Sequence, residues 1–446
     1  MKLQNIVGLL VFTLLLAACG YPSSSEPMTE DGKTVVTFWH SMSGNNLNVL
    51  EDIITDYNSE QSEVIVKPVF QGTYREGFSK INSVIGTDDV PALMQLNEES
   101  TKPMIDMGEI KPMQDFIDQD NFNIENFEPA ILGRYEVDGK LYSMPFNPSV
   151  AVVYYNKDAF KEVGLDPENP PHTYSEFAEA AELLTTKNGS EVERYGINIR
   201  NYGWHYEQLV VNQGGYTVNN ENGRSGTPTE ATIHNEEMKR AITWIKEMYD
   251  QGTFVNLGRN NDDVKESFFA GKVAMIVDTS SNAVPAIEDA SFDLGIAKYP
   301  VADGVEPHGS VIGGASLWIF DDIPEETQHA AWDFVQYLLE PDTQVKWTTN
   351  TGYYPVSTDV YENELYKTHL ENYPQVQATL DQLHLAEVSP VTQGAYIGVY
   401  PDIRIIIEDQ VEKILEGSLT IDEALDQAND EVTEVLQQYQ KIQESQ

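Results

Sequence analysis

From residue 34 to residue 96 the chain alternates strand-like apolar runs with helical ones, and this alternation restricts the fold more than any other feature. TVVTFWH at 34–40 is rich in β-branched and aromatic residues, which suits an extended, half-buried strand. Leu47, Leu50, Ile54 and Tyr57 then recur at helical spacing, the mark of an amphipathic helix. Further strands are predicted at Val64–Phe70 and 92–96. Strand, helix, strand, helix, strand is the order of an α/β layer with a parallel sheet. The pattern continues with a strand at 150–155, a helix opened by the capping box Thr173 and Glu176 and running to Leu184, and a helix capped by Asn235 and stopped at Gly252. A strand at 273–277 and a helix at Glu325–Leu339 follow, and the last quarter reads as almost entirely helical, with Pro401 in a first helical turn before IRIIIEDQVEKILEG. One α/β domain rarely extends over so much chain, so two lobes are expected.

The start of the chain has a different character. Met1 and Lys2 precede an apolar run from Ile6 to Leu16, shorter than the roughly 20 residues a bilayer span needs. Small residues follow, then the single cysteine, in LLLAACG. This stretch resembles a bacterial lipobox, and the resemblance implies a lipoprotein signal peptide over 1–18, cleavage before Cys19 and lipidation of its thiol. The alternative is an ordinary signal peptide with an incidental cysteine. Residues 19–33, rich in Ser and Pro, read as a flexible tether. With no second cysteine there is no disulfide, zinc ribbon or thiol nucleophile to invoke, so stability must come from the core.

Charge and motif content narrow the function. Asp and Glu number 72 against 27 Lys and Arg, a formal charge of −45, and such a surface repels nucleic acid and anionic lipid. The acidic residues are spread along the chain, as on a solvated folded surface. GKT at 32–34 lacks the P-loop glycine five positions earlier, where Pro27 stands, and GASLW at 314–318 ends in Trp318 where a nucleophile elbow has glycine. The eight histidines show no HxH or HExxH spacing, and FIDQDNFNIENFE, with Asp118 and Asp120, lacks a calcium loop's glycine and reads as a loop. No catalytic, metal or cofactor site is expected. Tyr74 and Glu98, in contrast, each follow a predicted strand, where ligands of open α/β sheets bind.

FWHSM at 38–42, FQGTY at 70–74, PALMQLNE at 91–98, PFNPS at 145–149, VYYNKDAFKEVGLDPENPP at 153–171, IGGASLW at 312–318, TGYYPV at 351–356 and PDIRIIIEDQVE at 401–412 resemble, in order, the extracellular solute-binding proteins of bacterial ABC importers, and within them the glycerol-phosphate binders. The resemblance implies a two-lobe, type II periplasmic-binding-protein-like α/β fold. Each lobe would be a mainly parallel sheet flanked by helices, with the ligand cleft between them. It places lobe 1 at 34–147 and 317–372 and lobe 2 at 148–316 and 373–446. Carried onto this chain, Tyr74, Glu98 and Trp204 would hold a glycerol moiety, and Ser149, Thr279, Gly313, Tyr353 and Arg404 a phosphate, with Ser280 beside Thr279 as a further hydroxyl.

These residue types suit that task. Arg404 offers a planar fork to phosphate oxygens in a first helical turn, and ionised Glu98 is an acceptor for glycol hydroxyls. Asn201, in NYGW where relatives carry a second tryptophan, would widen the pocket enough for a phosphodiester such as glycerophosphocholine. The expected partners are a glycerol phosphate ligand, an ABC permease and its ATPase, with the protein a lipid-anchored monomer on the outer face of the cell membrane. An oligosaccharide binder of the same fold, a secreted hydrolase and the sensor lobe of a membrane kinase are the alternatives.

Overall fold

The computed structural model describes residues 29–445. Cys19 and the expected signal peptide lie outside the described residues. Part of the expected tether does not: Thr29–Glu30 pairs antiparallel with Lys33 and Thr34. Asp31 and Gly32, with φ of 51° and 81°, make the left-handed two-residue turn that Asp-Gly favours between strands.

Two sheets organise the chain. The first holds Lys33–His40, Val64–Phe70, Leu93–Asn97, Ile110–Lys111, Met144–Ser149 and Gly313–Phe320, and the second Ala151–Asn156, Thr186–Asn188, Glu191–Ile199, Val273–Thr279 and Leu294–Ala297. The chain passes from the first sheet to the second at Val150 and returns before Gly313. The two-lobe α/β architecture is as expected, but the pairing is mixed. Lys33–His40 runs parallel to Val64–Phe70 and Leu93–Asn97, and Glu191–Ile199 parallel to Val273–Thr279. The two strands on which the chain changes lobe, Ala151–Asn156 and Gly313–Phe320, pair antiparallel with their neighbours, because they enter their sheets from the opposite end.

Helices cover the sheet faces where their apolar stripes dictate. Gly44–Glu60 buries Leu50, Ile53, Ile54 and Tyr57, and Tyr174–Leu184 buries Phe177, Ala181 and Leu184 behind the capping box of Thr173 and Glu176. Glu236–Gln251 is capped by Asn235 and ends at Gly252, whose φ of 71° is the usual left-handed stop. The segment holding Asp118 and Asp120 is a loop only from residue 121 on: Met113–Asp120 is helical, buries Met113, Phe116 and Ile117, and Asp120 accepts a hydrogen bond from Trp332 Nε1 at 2.8 Å. Its apolar contacts lie far away in sequence, which hid them from a local reading. Tyr400–Leu415 and Ile421–Gln443 close the second lobe, packing on each other and on Glu236–Gln251, the first also on Gly203–Val211.

Candidate functional site

A cleft of about 640 Å³ opens where the carboxyl ends of strands from both sheets meet. Its first wall comes from the turn after Lys33–His40, the start of the Tyr74–Val84 helix, and Glu98 and Glu99 after Leu93–Asn97. The opposite wall comes from Arg200, Tyr202 and Trp204 after Glu191–Ile199, and from Thr279. Ser149 and Gly313, paired across adjacent strands, form the floor.

Tyr74 is aimed by its local sequence. Thr73 and Glu76 form a reciprocal capping box that starts the helix at Tyr74, and Gly72 has φ of 87°, where a Cβ would lie 2.3 Å from Glu76 Oε2. The Tyr74 hydroxyl accepts from Asn147 Nδ2 at 3.2 Å, and Asn147 Oδ1 accepts from Gln95 Nε2 at 2.8 Å. Burial raises the Tyr74 phenol well above its ordinary value, so the ring presents a neutral hydroxyl. Tyr353 stacks on Trp347, 5.4 Å between centroids and 6° between planes, and Trp347 stacks in turn on Phe146. Trp204 lies against Gly313, where a Cβ would come within 2.5 Å of the indole, and its Nε1 is buried without a hydrogen-bond partner among the described residues.

Of the nine expected contact residues, Tyr74, Glu98, Ser149, Trp204, Thr279, Gly313 and Tyr353 line the cleft together, and Ser280 and Arg404 do not. Ser280 is fully buried, its Oγ accepting from Val150 N at 3.3 Å and its N–H donating to Val150 O. It ties down the crossing between lobes. Arg404 is also fully buried. It donates to Glu98 at 2.8 Å, Glu99 at 3.0 Å and Glu207 at 2.6 Å, and stacks over Tyr400 at 4.7 Å. Burial raises the pKa of Glu98, against the pull of Arg404 and Arg134. Asn201 turns away from the cleft, donating to Glu408 O at 3.1 Å and accepting from the Tyr206 hydroxyl at 2.9 Å, so it does not widen the pocket.

The sequence reading missed the cationic side chains of the lining: Arg75, Arg200, Arg259 and Lys265. Arg75 stands beside Tyr74 and was within reach of the same strand-end argument. The other three come from loops and helices whose proximity depends on the tertiary fold. Glu408, buried on the Tyr400–Leu415 helix, receives Arg75 at 2.8 Å and Gly203 N–H at 2.8 Å.

The bacterial extracellular solute-binding protein family model matches residues 52–377. The sn-glycerol-3-phosphate-binding periplasmic protein UgpB of Salmonella typhimurium is 31% identical over 92% of this chain and 94% of that protein, and that of Escherichia coli K12 is 30% identical over the same shares. Among solved structures, UgpB from Mycobacterium tuberculosis in complex with glycerophosphocholine superimposes with a TM-score of 0.77 at 20% identity, covering 92% of this chain and all of that one. The cyclic α-maltosyl-1,6-maltose binding protein from Arthrobacter globiformis gives 0.74 at 24% identity, covering 91% and all. The chain therefore belongs to the bacterial extracellular solute-binding protein family and is a binding component of an ABC importer, not an enzyme.

Proposed function

We propose that the cleft captures glycerol-3-phosphate or a glycerophosphodiester such as glycerophosphocholine, and that the protein, held to the outer face of the membrane by lipid on Cys19, hands it to an ABC permease and its ATPase. The observation that carries this reading is a set of three unpaired donors in the lining. Arg75 Nε, Arg200 Nε and Trp204 Nε1 are buried N–H groups with no hydrogen-bond acceptor among the described residues, in a protein with 72 acidic residues against 27 basic ones. Unpaired donors are costly, and an acceptor-rich anion would satisfy them. The 31% identity to a glycerol-3-phosphate-binding protein supports the same ligand class.

In this reading Tyr74, Glu98 and Trp204 hold the glycerol, and Ser149, Thr279, Gly313 and Tyr353 surround the phosphate. Arg404 orients Glu98 from behind and meets the phosphate only when its carboxylate partners yield to the ligand. An oligosaccharide is the second reading. It is favoured by a cleft with space for about twenty waters at ~30 Å³ each, more than a three-carbon phosphate fills.

Titration calorimetry with glycerol-3-phosphate, glycerophosphocholine and maltose decides between them. Heat with a phosphate ester, reduced in Tyr74→Ala and Trp204→Ala, is expected; heat with maltose alone would overturn the proposal.

A further inference from the structure

Three of the four cations lining the cleft have carboxylate partners among the described residues. Arg75 pairs with Glu408 at 2.8 Å, Arg259 with Glu408, Asp409 and Glu412, and Lys265 with Asp278 at 3.9 Å. Arg200 has no ion-pair partner among them. Its guanidinium lies 4.3 Å from the Tyr202 ring centroid, and Arg75 reaches over the same ring from the first lobe at 5.6 Å. An aromatic face attracts each cation but cannot supply the missing negative charge. The Nε–H groups of both arginines are buried with no hydrogen-bond acceptor among the described residues, that of Arg75 lying 3.9 Å from Glu99 Oε1.

We propose that Arg200 is the specificity-determining residue of the cleft, reading the net negative charge of the ligand. It favours a phosphodiester whose second substituent is uncharged and rich in hydroxyls over one that carries a quaternary ammonium. This rests on the glycerol phosphate reading above. A cationic head group beside an unneutralised guanidinium is repelled in a partly desolvated cleft, whereas hydroxyl oxygens accept from it. Asp262 and Asp289 also line the cleft and are the groups that would welcome a cation instead, so a matched pair of ligands is the decisive comparison.

Calorimetry of the mature chain with glycerophosphoglycerol and glycerophosphocholine supplies it. The wild type is expected to bind the first at least about tenfold more tightly, Arg200→Gln to bring the two within about twofold, and Arg200→Lys to keep most of the preference. Melting temperatures without ligand should stay close in all three proteins, since Arg200→Gln gives up only the contact with the Tyr202 face and no ion pair among the described residues. Equal affinities in the wild type, or a preference unchanged in Arg200→Gln, would overturn the inference. Wild-type protein that binds maltose and neither ester would instead defeat the glycerol phosphate reading, and this inference with it.

Discussion

Arg404 sits at the centre of a fully buried cluster of ion pairs behind the cleft. Three carboxylates meet its two terminal nitrogens at 2.6–3.0 Å, and the side chains at both ends of each pair are buried. Removing one member of such a cluster leaves the others desolvated and unpaired, which costs about 3–5 kcal/mol. Arg404→Ala is expected to lower the stability measured by urea unfolding by that amount, and Arg404→Lys to recover only part of it, because an ammonium cannot reproduce the fork. Gly313→Ala tests the floor. Its new Cβ would lie within 2.5 Å of Trp204, so the indole must move, at a cost of about 1–3 kcal/mol, seen as a shifted tryptophan emission. At this scale the sequence was a fair guide to seven lining residues, because Tyr74 and Glu98 follow strands and the others sit in recognisable motifs. It was a poor guide to Arg200 and Arg404, whose contrasting roles depend on which carboxylates the fold brings near.

Helices and strands with local causes could be read closely from sequence. The strand Val64–Phe70 and the helices Tyr174–Leu184 and Glu325–Leu339 are bounded by signals within a few residues of their ends. The direction of strand pairing was not legible, since Ala151–Asn156 and Gly313–Phe320 meet partners over a hundred residues away in sequence. Three capping boxes, Thr73 with Glu76, Thr173 with Glu176 and Thr420 with Glu423, close their helix starts reciprocally. Thr173→Ala should cost about 1 kcal/mol in urea unfolding. Backbone N–H groups hold all three glutamates below the ordinary carboxylate value of 4.5. A depressed folded-state pKa means that the unfolded chain binds protons first as pH falls. The boxes therefore contribute fully above that ordinary value and lose their contribution as pH falls through the lower folded-state values. Far-UV circular dichroism during acid titration is expected to show Glu176→Gln losing less stability over this window than the wild type, because the carboxylate held ionised by the His172 and Thr173 N–H groups is gone.

At the scale of the whole molecule two kinds of charge interaction oppose each other, and salt separates them. The formal charge of −45 is spread over a solvated surface, where self-repulsion works against the compact state. The pairs that join the lobes, Arg404 with Glu98 and Glu99, have side chains at most 4% exposed, and Arg75 reaches Glu408, whose side chain is fully buried, from the other wall. Salt shortens the Debye length from about 30 Å at 0.01 M to about 3 Å at 1 M. That removes most of the long-range surface repulsion while leaving desolvated contacts largely intact. The melting temperature is therefore expected to rise between dilute buffer and molar sodium chloride, and affinity for a phosphate ester to hold or rise with it, because the approaching anion is also relieved of surface repulsion. Scanning calorimetry and ligand titration over the same salt series measure both. A melting temperature that falls steadily with salt would mean that exposed ion pairs, not the buried clasp, hold the lobes together. A steep loss of affinity with a rising melting temperature would place the ligand's charge in contact with solvent-screened arginines rather than within the closed cleft.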